Sequence, residues 1–504
     1  MIDWGAPIAE LGRGTFGLVR SYLINGVIRA VKTEISPSTT DFNQSLVQEA
    51  AHLRLTNHPR FVKLLELGVN NNHLYLVMEA METNVFRILR ALRTPSYSPE
   101  KWATEGYLPI EQVIVQIISA VAHLHSQQIT HRDLKPQNLL YSASEGIKLA
   151  DFGAAVSFLS FRDQLDFEVT TLEYRAPEVV REQPYDHRVD CWGLGCLIVE
   201  LITGYALFDR NADWNRGLWD MDLNPKVNLL LLIDLQIPRL NQLVKSLYLG
   251  LIEKLLVVDF HQRITVQEAL NSLVSPRAMK GFRMSSPLEM FAQRTITHLP
   301  VTQPDRYPVI LRSLIFLHQV AQFLKLFNES YFYAVDRFYQ YLHLTDDFDQ
   351  LALTAVYVAG LVCEHLSLNF EHFIFDREVN KVLITELVSK ILTISQGNLV
   401  IPSPWTLLYN NYPSLNLLKN YLVIISLTTS YPSLTLYQRA TLAYLIASRV
   451  EKVPFEPLAS ERIGEPPFEL KIFDRFIEDL NYLINQGFSE IAEIGLINLK
   501  NLLE

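Results

Sequence analysis

Lys32, Asp133 and Asp151 occur in that order along a 504-residue chain, each inside a short motif. A glycine-rich run comes first, Leu11-Gly12-Arg13-Gly14-Thr15-Phe16-Gly17-Leu18-Val19. It is followed by Ala30-Val31-Lys32, His131-Arg132-Asp133-Leu134-Lys135-Pro136-Gln137-Asn138, Asp151-Phe152-Gly153 and Ala176-Pro177-Glu178. The chemistry that uses such a set is phosphoryl transfer from ATP. Gly12, Gly14 and Gly17 let a strand-turn-strand backbone approach phosphates that a Cβ would obstruct. Lys32 can hold the α- and β-phosphates, but its long side chain needs an anionic partner, and Glu49 on the next helical stretch is the candidate. Asp133 can accept or orient the proton of an attacking hydroxyl, and Lys135 can neutralise charge on the transferred group. Asn138 and Asp151 supply hard oxygen ligands suited to Mg2+. The glycine pattern alone would also fit a dinucleotide-binding turn. No helix starts after Gly17, and Lys32 follows at strand spacing, so that reading fails.

The elements that must position these groups are also visible. Leu18 to Arg20, Ile28 to Lys32 and Leu74 to Glu79 read as short strands. Ser45 to Thr56 carries Leu46, Val47, Ala50 and Leu53 at helical spacing. From 110 to about 275 helical patterns dominate, interrupted by the loops bearing residues 131–138 and 151–178. Pro276, Pro287, Pro300, Pro304 and Pro308 then punctuate the chain as a linker would, and amphipathic helical segments fill 309–500. Apolar residues at 49% and charged residues at 19% place the chain among globular proteins. A net charge of −10 argues against coating nucleic acid. Three cysteines without metal-ligand spacing imply neither a disulfide framework nor a cysteine metal site. The first residues lack signal-peptide character, and the apolar run from Val227 to Leu235 is too short to span a bilayer. These features predict a soluble intracellular protein without nucleic-acid or membrane partners.

Taken together, the motifs of residues 1–280 resemble protein kinases, and those of the second part resemble the cyclin-dependent kinases closely. His131 to Leu140 is similar to their catalytic loop, and Thr171-Leu172-Glu173-Tyr174-Arg175-Ala176-Pro177-Glu178 to the end of their substrate loop, with Glu173 where they have tryptophan. The resemblance implies an α+β bilobal protein kinase fold, with a small lobe over about 1–82 and a large lobe over about 83–280. It implies Met78 as gatekeeper, Glu79 and Met81 bonding the adenine through their backbones, and Ile8, Val19, Ala30 and Leu140 against its faces. Thr171 should bond Asp133 and Lys135, implying Ser/Thr acceptors in protein substrates, with proline-directed specificity. Glu178 and Arg263 should form a structural ion pair, and Asp190 should brace the catalytic loop. The site of activating phosphorylation falls on Asp166. Of the three arginines that grip that phosphate only Arg132 is kept, since Gln48 and Val156 stand at the other two positions. Thr15 is retained, while Phe16 replaces the tyrosine through which such kinases are inhibited.

Past the linker at 281–306, the stretch 307–504 looks like a cyclin box. It has Val309-Ile310-Leu311 in a first helix, Tyr333-Ala334-Val335-Asp336-Arg337-Phe338 in a second, Gln350 to Glu364 as a third, and a helix near 380–393. Ile401-Pro402-Ser403-Pro404 then leads to a second helical set, giving two repeats over 307–400 and 401–504. The implied architecture is a kinase followed by an all-α cyclin-box-like helical domain that activates it in cis, so that no separate cyclin is required. Tethering at this range gives an effective concentration of about millimolar. A fixed carboxylate at Asp166 would replace the activating phosphate. Two other readings remain open here: a helical scaffold or interaction tail unrelated to cyclins, and a pseudokinase that binds ATP without turning it over.

Overall fold

The computed structural model describes residues 4–14, 17–35, 42–56, 58–70, 73–93, 97–157, 171–208, 225–244, 248–273, 306–326, 328–363, 379–399, 439 and 443. The chain divides into two compact units. The first is Met1–Pro37 with Ser45–Met284, and the second is Ser38–Gln44 with Ser285–Glu504.

The first unit opens with a five-stranded antiparallel sheet of β1 (Ala9–Gly14), β2 (Gly17–Ile24), β3 (Val27–Thr33), β4 (Leu64–Asn70) and β5 (His73–Glu79), in the order β1-β2-β3-β5-β4. Asn25-Gly26 closes the β2–β3 hairpin with both residues at positive φ, the geometry that matches the right-handed twist of the flanking strands. Gly17 faces Gly14 across the β1–β2 turn, and a Cβ there would lie 2.8 Å from the Thr33 carbonyl oxygen. The requirement for glycine at 17 is therefore set by β3. At Gly12 and Gly14 a Cβ would enter open space. On one face of the sheet Trp4 sits over Tyr22 and Tyr75, ring centroids 5.6 and 4.9 Å away, and covers Val31 and Val77.

Helix α1 (Gln44–Leu55) buries Leu46, Val47, Ala50 and Leu53, the positions expected from their spacing, and with them Glu49 and His52. The helical lobe follows with α2 (Val85–Leu92), capped by Asn84, and α3 (Pro99–Thr104), capped by Ser98. Next come α4 (Ile110–Ser126), α5 (Pro177–Val180) and α6 (Arg188–Thr203). It closes with α7 (Pro225–Gln236), α8 (Leu240–Leu243), α9 (Leu249–Leu255) and α10 (Val266–Leu273). Nearly all of α6 is buried, so it forms the axis of this lobe. Two small ladders hold the loops between α4 and α5. One joins β7 (Ile129–Thr130) to β10 (Val156–Ser157); the other joins β6 (Thr83–Asn84), β8 (Leu139–Ser142) and β9 (Gly146–Leu149). Arg263 locks α5 from below through bonds to Glu178 at 2.6 and 3.0 Å.

The second unit contains α11 (Tyr307–Phe323), α12 (Asn328–Gln340), α13 (Phe348–Cys363) and α14 (Lys381–Ser395). They lie where the sequence places its first three tail helices and the helix near 380–393. Almost every residue of α13 is buried, and α11, α12 and α14 all pack on it. Such an all-round apolar helix is a core helix by composition. Within the same unit the Phe42 amide donates to Tyr357 Oη at 3.3 Å, and Gln44 Nε2 donates to the Gly360 carbonyl at 3.0 Å. The stretch beginning Ile401-Pro402-Ser403-Pro404 lies outside the described residues, apart from Arg439 and Ala443. No helix among the described residues is long and apolar enough to cross a membrane.

Two histidines of the first unit set an acid limit. Burial holds His52 near a pKa of about 4, with the cationic Arg132 helping and a bond to the Gln48 backbone opposing. Burial likewise holds His58 at about 4, and its ring stacks 4.4 Å from that of His123. A histidine in the unfolded chain titrates near 6.5. The folded state therefore prefers the neutral ring, a contribution fully present above pH 6.5 and lost as pH falls towards 4. The thermal midpoint should drop on acidification through that window, and His52→Leu should flatten part of the drop. Equal slopes for the two proteins would contradict the assignment.

Candidate active site

The centre of the cleft is a buried cation between two carboxylates. β3 pairs with β2 and β5 so that Lys32 faces Val19 on one side and Leu76 on the other. Its Nζ donates to Glu49 Oε2 at 2.5 Å and to Asp151 Oδ1 at 2.9 Å. Burial alone would push the Lys32 ammonium down, but Glu49 and Asp151 outweigh it and raise the pKa, so Lys32 stays charged. Burial pushes Glu49 up against the pull of Lys32. Asp151 also loses water, yet Lys32 holds it below the usual carboxylate range. Ser45 Oγ donates to the Gly153 carbonyl at 3.2 Å, which ties the start of α1 to the Asp151-Phe152-Gly153 turn a second time.

Asp151 and Arg132 both take left-handed backbone conformations, φ 63° and 67°. A non-glycine residue holds that geometry only where its surroundings fix it. For Arg132 the fixing group is Asp190 on α6. This buried carboxylate accepts from the His131 amide at 2.8 Å, the Arg132 amide at 2.8 Å and His125 Nε2 at 2.9 Å. His131 donates from Nε2 to the Ala150 carbonyl at 3.1 Å and accepts the Asp133 amide on Nδ1, which settles its tautomer through its partners. Its ring and that of Phe61 both lie edge-on to Phe152. The Arg132 side chain donates through Nε to the Ala154 carbonyl at 2.6 Å and through Nη1 to Tyr185 Oη at 3.1 Å.

Asp133 is held from three sides. Its Oδ1 accepts from the Thr171 hydroxyl at 2.9 Å and the Thr171 amide at 3.1 Å; its Oδ2 meets Lys135 Nζ at 2.6 Å and Asn138 Nδ2 at 3.1 Å. Lys135 also donates to Thr171 Oγ1 at 2.9 Å. Asn138 gives a further N–H to the Asp133 carbonyl, so its Oδ1 remains as an acceptor. Asp151 likewise gives only Oδ1 to Lys32. Two hard oxygens are thus left for Mg2+, and the bare Cα atoms of Gly12 and Gly14 front open space, so these residues fit a nucleotide with its metal.

At the adenine end, Ala30 and Met78 are buried and face each other across β3 and β5, while Val19, Leu140 and Met81 are half-buried and Ile8 is 56% exposed. The Glu79 carboxylate is turned elsewhere, accepting from the Lys63 amide at 2.8 Å and Lys148 Nζ at 2.7 Å. The Glu79 amide bonds the Lys63 carbonyl at 3.1 Å, which leaves Glu79 its backbone carbonyl for a base. Thr15, Phe16 and Asp166 lie outside the described residues, so the expected Arg132–Asp166 pairing is not described; Arg132's partners among the described residues are Ala154 and Tyr185. Sequence reasoning missed His125, Tyr185 and the buried Glu200, which accepts from Tyr174 Oη at 2.5 Å. Their partners are 65, 53 and 26 residues away, and no short motif announces them.

The Asp190 brace makes a stability prediction. Asp190→Ala strands two buried amides, each worth about 1–3 kcal/mol when left unpaired, so denaturant unfolding should show a loss of about 2–5 kcal/mol. A loss below about 1 kcal/mol, the range of an ordinary surface substitution, would contradict the role.

A family model described as "Protein kinase domain" matches residues 6–274. Over 210 residues the chain is 38% identical to a protein of Oryza sativa subsp. japonica named "Cyclin-dependent kinase F-4", a stretch that takes in 41% of this chain and 43% of that protein. The family match covers more than half of the sequence and contains every motif that builds the cleft. The chain belongs to the protein kinase family.

Proposed function

We propose that the chain is a serine/threonine kinase that transfers the γ-phosphate of ATP to protein substrates, and that its second unit is a cyclin-like activator acting in cis. The observation that carries the first part is Lys32 Nζ placed 2.5 Å from Glu49 and 2.9 Å from Asp151, beside an Asp133 fixed by Thr171, Lys135 and Asn138. When bound, ATP with Mg2+ supplies the transferable phosphoryl group and neutralises its charge. Lys32 binds phosphate oxygens, with Glu49 keeping it extended. Asp151 and Asn138 would hold the metal through their remaining oxygens. Asp133 accepts or orients the acceptor hydroxyl's proton, and Lys135 balances charge on the group in transit. Thr171, shared by Asp133 and Lys135, supports Ser/Thr acceptors.

The activator part rests on the resemblance of 307–504 to a cyclin box. Within the second unit, Phe42 and Gln44 are hydrogen-bonded to Tyr357 and Gly360. In this reading the kinase occupies 1–280, the linker 281–306, and the cyclin-like domain 307–504. In the same reading the fixed charge of Asp166 takes the place of the activating phosphate. Activity then needs no activating kinase.

The full chain should phosphorylate Ser/Thr sites followed by proline in a peptide library, and Asp133→Asn should lower kcat about 10²–10⁴-fold. Unchanged turnover in that variant would overturn the catalytic reading. For the activator, specific activity should stay constant on dilution from micromolar to nanomolar enzyme and after phosphatase treatment, with no protein added. Activity that appears only with a separate added partner would overturn cis-activation and leave the kinase reading standing.

A further inference from the structure

Inside the second unit, α12 buries a cation that no acid among the described residues balances. Arg337 is 1% exposed. Its neighbour Asp336 is already paired, with Arg439 Nη1 2.5 Å from its Oδ1. No carboxylate among the described residues comes within ion-pair distance of Arg337. Its Nη1 donates to Gln340 Oε1 at 2.5 Å, and the guanidinium lies 4.8 Å over the ring of Tyr333. Nε and Nη2 have no hydrogen-bond partner among the described residues. The hydroxyls of Tyr333 and Tyr341, both buried, have none either.

These groups belong together by helix geometry. Tyr333 and Arg337 are four residues apart on α12, and the Tyr341 amide bonds the Arg337 carbonyl at 3.1 Å, so all three lie along one face. A guanidinium cannot shed its proton to escape burial, and a buried unpaired charge is retained only where something compensates it. Nε and Nη2 form one edge of the guanidinium, the pair of parallel donors that meets two oxygens of a carboxylate or phosphate side-on. The two phenols can add O–H donors to the same ligand.

We propose that Arg337, Tyr333 and Tyr341 form an internal binding site for a small oxyanion, a carboxylate or inorganic phosphate, held side-on by Nε and Nη2 of Arg337. The site lies within the second unit and does not depend on that unit's being cyclin-like. Ligand binding there stabilises the folded chain, and the affinity is set by the Arg337 edge.

Thermal unfolding of the full chain in sodium phosphate, sodium acetate or sodium chloride at constant ionic strength tests it. Phosphate also stabilises proteins generally by exclusion from their surface, an effect that does not saturate and that variants share. The site is therefore read as the difference from Arg337→Met, which keeps the side chain long and removes its charge. The wild-type midpoint should rise saturably with phosphate, with acetate or with both, by about 5–10 °C at a hundredfold excess over the half-saturating concentration. Arg337→Met should lose that rise. Which anion saturates identifies the ligand source. Parallel curves for the two proteins, or no saturable rise with either oxyanion, would overturn the proposal. Should Arg337→Met fail to fold, Tyr341→Phe keeps the ring and drops one donor, and its half-saturating concentration should increase about tenfold. An unchanged value there would also overturn it.

Discussion

A lysine ammonium kept charged in a buried cleft constrains much of the first unit. Lys32 has lost nearly all of its water, and two carboxylates restore what burial removes. Each comes from a different element: Glu49 from α1, and Asp151 from the turn between β9 and β10. The pair can form only when α1 is seated and the turn holds its left-handed geometry at the same time. One cation thus depends on the position of two separate elements. Because an unpaired charge in that setting costs several kcal/mol, the arrangement favours all of the contacts forming together.

A second constraint lies beneath it. Asp190, near the start of the almost wholly buried α6, fixes two consecutive amides of the loop that carries Asp133. The carboxylate loses its own hydration, and His125 and the two amides hold it ionised below the usual range. The helical lobe therefore braces the acceptor end of the site, while the sheet and α1 supply the phosphate end.

Legibility in the sequence followed the range of each interaction. The Lys32–Glu49 contact could be foreseen because α1 is the first helix after β3 and its apolar spacing exposes the phase of the buried face. Thr171 with Asp133 and Lys135, and Glu178 with Arg263, came from motifs whose order is distinctive. Periodicity gave three of the five strands, and the resemblance to a cyclin box, added to amphipathic spacing, gave the tail helices at 307–323, 328–340, 348–363 and 381–395. Gly17 was expected to spare phosphates, whereas its Cβ would first meet Thr33. His125, Tyr185 and Glu200 were invisible because their partners are set by how α4, α5 and α6 cross. The Asp336–Arg439 pair, 103 residues apart, was hidden for the same reason. Side chains that join distant helices leave no local pattern, and partners of that kind hold Arg132 and Asp336.

The central claim is that Lys32 and Glu49 act as one unit in phosphoryl transfer. A double-mutant cycle on kcat/KM for ATP, comparing Lys32→Met, Glu49→Gln and the two combined, measures this directly. If they act as a unit, the combined variant should be no slower than Lys32→Met alone. Effects that multiply, with the double variant slower by the product of the two single losses, would contradict it.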